Sequence, residues 1–124
     1  MSDGGARVEA QVRSLANGFL VRTKDDVQRL RKLLDRAVNG DRTVLKESER
    51  IAHSIHGAGA VFGFPQLSEA AGAIERLVGE VTAAPAAARS PSAPVMLQLL
   101  DCTQQLVQAL KAAVRALPAD NALD

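Results

Sequence analysis

Apolar residues along this chain recur every three or four positions rather than every second one, the spacing of helices with one buried face. Val8, Val12, Leu15, Ala16 and Phe19 predict a first helix over residues 7–19, with Asn17-Gly18 weakening its end. Thr23, with Asp26 three residues on, resembles a capping box in which Asp replaces Glu. The second helix, over 23–38, carries Val27, Leu30, Leu33, Leu34, Ala37 and Val38 on its stripe. Asn39-Gly40-Asp41 stops it and offers Asp41 or Thr43 as the next cap. A third helix over 43–62 uses Val44, Ser48, Ile51, Ile55, Ala58, Gly59 and Phe62. Gly63 ends it, and Pro65 suits the first turn of a fourth helix over 65–82. That helix has the cleanest stripe: Leu67, Ala70, Ala71, Ile74, Leu77, Val78 and Val81. Residues 83–94, rich in Pro and Ala, read as a loop. The last helix, over 95–117, carries Met96, Leu99, Leu100, Leu106, Val107, Leu110 and Val114, with Pro118 closing it. Amphipathic stripes on short connections predict an all-α fold: an antiparallel four-helix bundle with an additional N-terminal helix.

Composition narrows the function classes. A chain of 124 residues suits one domain over 1–124, and with 47% hydrophobic and only 2% aromatic residues it favours helix over sheet. The net charge of +1 gives no overall footprint for nucleic acid. A single cysteine, Cys102, excludes an intrachain disulfide and a Cys-rich zinc module. No run approaches the ~20 apolar residues of a membrane span, and MSDGGARVEA lacks the apolar stretch of a leader. The expectation is a cytoplasmic monomer without membrane or nucleic-acid partners.

Candidate chemistry concentrates in the third helix, in IAHSIHGAGAVFGFPQL, which holds both histidines. At about 100° per residue, His53 lies roughly 160° from Ile55, the centre of the buried stripe, and so faces outward. Lys46, Glu49, Arg50, Gly57 and Ala60 share that outer surface. His56 lies about 100° from the centre by the same arithmetic, at the edge of the face. Glycine in a helix interior costs roughly 1 kcal/mol against alanine. Gly59 is on the buried side, where close helix packing explains it. Gly57 is outward, one turn after His53, where clearing room for an approaching partner explains it.

His53, Ile55, Gly57, Phe62, Gly63, Phe64, Pro65 and Leu67 resemble the pattern of histidine-phosphotransfer (HPt) domains of bacterial two-component phosphorelays. The segment is also similar to the phosphoacceptor domain of chemotaxis histidine kinases, which shares HSI, the small residues that follow, and FGF. The resemblance implies that His53 exchanges a phosphoryl group with the aspartate of receiver domains, in response regulators or hybrid histidine kinases. It maps the family's orienting glutamate onto Glu75, which would fix the imidazole tautomer. It also marks a departure: His56 stands where the family has lysine. Lys46 and Arg50, with Gly57 and Ala60, would form the partner-docking surface. No cofactor is implied for this chain, since Mg²⁺ would belong to the receiver.

Other readings stay open beside this one. His53, Glu75, Lys46 and Arg50 are also residue types of any solvated helix face. Phe62 and Phe64 read as core anchors and Cys102 as inert. Glu49, His53 and His56 share a face and could be asked to hold a metal, but the pattern supplies no second-helix set, so no metal is expected. An HPt-like bundle that binds a receiver or kinase without carrying phosphate is the main alternative. No Gly-x-x-x-x-Gly-Lys-[Ser/Thr] loop is present, so autophosphorylation from ATP is not expected.

Overall fold

The computed structural model describes residues 2–84 and 93–117. Four helices form it: α1 Ser2–Val38, α2 Leu45–Val61, α3 Pro65–Ala83 and α4 Ala93–Arg115, with a 3₁₀ turn at Arg42–Val44. Among the described residues each helix packs against the next, and α4 returns to α1. That closed ring of neighbours is a four-helix bundle.

The first two expected helices are one. Asn17 and Gly18 retain their backbone N–H groups, so the hydrogen-bond ladder runs through them at only a propensity cost. Thr23, expected as a cap, is buried, and its hydroxyl donates to the Phe19 carbonyl one turn back at 2.7 Å. Phe19, Leu20, Thr23, Val27 and Leu30 then run as one buried line across the supposed break. The stripe before them has no partner: Val8, Val12 and Leu15 are 58%, 56% and 60% exposed. There is no additional N-terminal helix, only an α1 that overhangs the bundle.

The α1–α2 and α2–α3 connections each turn on a glycine. Gly40 has φ +102°, and the Asp41 N–H returns to the Arg36 carbonyl at 3.0 Å, closing α1 with a Schellman motif. Gly63 repeats it with φ +82° and a Phe64 N–H to Gly59 carbonyl bond of 2.8 Å. Asp41, not Thr43, supplies the cap: its carboxylate accepts from the Thr43 N–H at 3.0 Å. α2 starts at Leu45, two residues later than expected, after the 3₁₀ turn. Pro65 occupies the first turn of α3, where its missing N–H is harmless.

The core is aliphatic, with Leu20, Leu30, Leu33, Ile55, Leu67, Ile74, Leu99 and Leu106 fully buried. Each such side chain contributes about 1.5–3 kcal/mol. Every expected stripe residue of α3 is buried. On α4 the expectation was too wide, since Leu100 and Val114 are exposed while Ala113 is buried. The buried line there is Leu99, Leu106, Leu110 and Ala113, the narrower seven-residue seam of bundle packing. Phe62 and Phe64 are partly buried and stack on Phe19, with ring centroids 5.2 and 5.9 Å away. They pin the α2–α3 turn to α1. Residues 85–92 of the expected loop, and Pro118, lie outside the described residues, whereas Ala83, Ala93 and Pro94 are helical.

Candidate functional site

Burial of Ile51, Ala52 and Ile55 fixes the rotation of α2 about its axis and so decides which side chains face out. His53 is one of them, its side chain 73% exposed. Across the α2–α3 seam, Glu75 reaches it: Oε2 lies 2.6 Å from His53 Nδ1, with the carboxylate side chain 27% exposed. A carboxylate only accepts, so Nδ1 carries the hydrogen and the neutral ring keeps its lone pair on Nε2. The ring is thereby held in one tautomer by a group on a different helix. The sequence offered Glu75 as a candidate; its distance from His53 is a property of the fold.

His56, one turn on, is also exposed and is held by other partners. Its Nδ1 lies 2.8 Å from the Ser68 backbone carbonyl and 3.1 Å from Ser68 Oγ. Ser68 Oγ donates its own hydrogen to the His56 backbone carbonyl at 2.6 Å. Gly72, one turn further along α3, leaves the space the ring occupies: a Cβ there would sit 2.8 Å from Nδ1 and 2.9 Å from Cε1. Sequence reasoning missed Ser68 and Gly72. The available signal was the pair of small residues one turn apart on α3 in an otherwise strong helix-forming stretch.

The α2–α3 seam is tight throughout this region. At Gly59 a Cβ would meet the Ser68 backbone nitrogen at 3.2 Å, so close packing accounts for that glycine as expected. Gly57 is different, with nothing within 4 Å of the position a Cβ would take. Lys46, Arg50, Gly57 and Ala60 are all exposed, and they flank His53 along one outward line of α2. Val61 ends that line and is 81% exposed, an apolar side chain the sequence reading had not singled out.

Other candidate groups lie elsewhere. The Glu49 carboxylate lies 3.6 Å from the position of a Cβ at Gly79 of α3. Among the described residues no group of three or more His, Cys, Asp or Glu side chains is arranged to hold a metal ion. Cys102 on α4 is half-buried; burial pushes its thiol up, Asp101 adds to the shift, and Arg76 partly opposes it. A thiol kept protonated is a poor nucleophile. None of the helices described is long and apolar enough to cross a membrane.

The described helices thus form a bundle that carries an exposed imidazole, oriented across a helix seam by a carboxylate. The family model for the Hpt domain matches residues 14–119, and the chain belongs to that family. Hpt domains are the phosphotransfer modules of two-component signalling and interact there with receiver domains. No curated protein and no solved structure matches the chain.

Proposed function

We infer that this chain relays a phosphoryl group between His53 and the aspartate of receiver domains in a phosphorelay. The observation that carries the reading is the 2.6 Å contact between His53 Nδ1 and Glu75 Oε2 on an otherwise exposed imidazole. In the forward step Nε2 attacks the phosphorus of a receiver's aspartyl phosphate, the P–N bond forms, and the bond from phosphorus to the aspartate oxygen breaks. The freed carboxylate leaves with the electron pair. Attack by a neutral imidazole makes the ring cationic, and the Glu75 carboxylate stabilises that charge through the Nδ1 hydrogen. Return of the phosphoryl group to a second receiver reverses each of these changes.

Lys46 and Arg50 supply positive charge to the rim of the docking surface, where it raises the rate of encounter with an acidic pocket. Gly57 and Ala60 keep the approach to Nε2 open. His56 takes the place of the family lysine as the second polar group of the site. Mg²⁺ and most of the electrostatic catalysis belong to the receiver. The protein is a carrier without autokinase activity, acting as a cytoplasmic monomer.

The test is transfer from a panel of receiver domains charged on their aspartate with radiolabelled acetyl phosphate. Label passing to this chain, acid-labile and alkali-stable as a phosphohistidine is, supports the reading. Binding of a receiver with no label transferred points instead to an HPt-like interaction module, the alternative that loss of the lysine favours. Label acquired from ATP and Mg²⁺ alone would contradict the carrier assignment.

A further inference from the structure

The surroundings of His56 specify more than its position. Two oxygens approach Nδ1, and neither can donate to it: the Ser68 carbonyl has no hydrogen, and the Ser68 hydroxyl has committed its own to the His56 carbonyl. Nδ1 must therefore carry hydrogen whether the ring is neutral or charged. The lone pair of the neutral ring is then on Nε2. Gly72 makes this seat available, because any side chain there would displace the ring.

We propose that Ser68 and Gly72 are positioning residues that turn His56 into a proton-gated phosphate contact for the neighbouring His53. The proposal rests on His53 as the phosphoryl acceptor. A neutral Nε2 presents a lone pair and repels an arriving phosphoryl oxygen. With a proton there, the same atom is a cationic donor, on a residue whose Cβ lies about 5–6 Å from that of His53 on the helix surface. On its own helix the one titratable neighbour is His53. From α3, Glu75 turns toward α2 in bonding His53, whereas Glu69 lines a groove with α4 and Arg76 acts on Cys102 of α4. A phosphoryl dianion on His53 would add to the negative charge of Glu75 in favouring the cationic ring. Where a lysine would be a permanent charge on a flexible stem, this chain has an imidazole with a fixed tautomer, charged on demand.

The experiment uses Gly72→Ala in the full chain. The three atoms nearest an added methyl all belong to the exposed His56 ring, and alanine outranks glycine in a helix, so the variant should keep its helicity and melting temperature. Nitrogen-15 NMR should show native His56 locked as the Nδ1–H tautomer and the variant released to a mixture. Transfer from a charged receiver, measured below neutral pH, should slow about tenfold in Gly72→Ala, the size expected for one lost charge-assisted hydrogen bond. In a His56→Lys background, Gly72→Ala should change nothing, since lysine needs no seat. An unchanged tautomer, an unchanged rate, or equal slowing in both backgrounds would overturn the positioning role. No transfer to the native chain at all would overturn the His53 reading instead, and the NMR comparison distinguishes the two failures.

Discussion

The α2–α3 seam and the overhang of α1 obey the same sequence rule and end in opposite states. Both carry small or apolar side chains at helical spacing. In the seam, Gly59 brings α2 within contact distance of the Ser68 backbone, and two histidines are tied across it by side chains and a carbonyl of α3. In the overhang, Val8, Val12 and Leu15 form as regular a stripe and face solvent. Periodicity sets which residues share a face; a second helix at the right height decides whether that face is buried. The site lies on the seam that Gly59 closes, where short contacts hold an imidazole in one orientation without a long side chain spanning a gap.

Substitutions at the two places should therefore differ sharply. Gly59→Leu forces side-chain atoms against the Ser68 backbone, which cannot move without parting the helices, and should cost about 3 kcal/mol, the upper end for overpacking. Leu15→Ser in the overhang should stay within about 0.5 kcal/mol of the parent. Urea denaturation of the two variants measures both, and equal losses would erase the distinction. Within the seam, Glu75→Ala should slow phosphoryl transfer by about a hundredfold, since charged hydrogen bonds contribute about 1.5–3 kcal/mol, without abolishing it. The ratio of His53 tautomers by nitrogen-15 NMR should shift with it; an unaltered ratio would return Glu75 to the solvated rim.

Smaller effects sharpen the same contrast between filled and open surface. Gly57→Leu has space for its side chain, and leucine's helix propensity should raise stability by less than about 1 kcal/mol. On the proposed function the same side chain stands in a receiver's approach to His53, so receiver binding by titration calorimetry should weaken. Undiminished binding would remove Gly57 from the docking surface. The smallest effect concerns the turn between α1 and α2. Hydrogen bonds from the Thr43 hydroxyl and amide, and then from Arg36, hold the Asp41 carboxyl below its ordinary 3.8. A lowered carboxyl pKa adds stability that is complete above the ordinary value and disappears as pH falls through the folded one. The stability difference between the native chain and Asp41→Asn should thus be constant near neutrality and shrink below about pH 4. A difference that persists into strong acid would mean that Asp41 acts without its charge.

Much of this was legible in the sequence, for definite reasons. The helix ends at Gly40 and Gly63 were visible because a left-handed residue is needed there and glycine supplies it. His53 could be read as outward because Ile51 and Ile55 fix the opposite face. The continuity of α1 was not legible: Asn17-Gly18 and Thr23 look like punctuation until Thr23 is seen to be buried and bonded back to Phe19. The width of the α4 stripe was overestimated at Leu100 and Val114, since a bundle seam admits fewer positions than an amphipathic pattern offers. Glu75 could be nominated by the family resemblance, but its distance from His53 depends on the height at which α3 lies along α2. Ser68 and Gly72 show in the sequence only as two small residues one turn apart; the contacts they make with His56 depend on how α3 lies against α2.

The central claim is that one nitrogen, Nε2 of His53, carries the phosphoryl group. The direct measurement is phosphoryl transfer from a charged receiver to the native chain and to His53→Gln, with the modified residue located by mass spectrometry under alkaline conditions. The native chain should take label on His53 alone. His53→Gln should take none while unfolding within about 0.5 kcal/mol of the parent, as an exposed side chain allows. Stable label on the variant, at His56 or elsewhere, would contradict the claim.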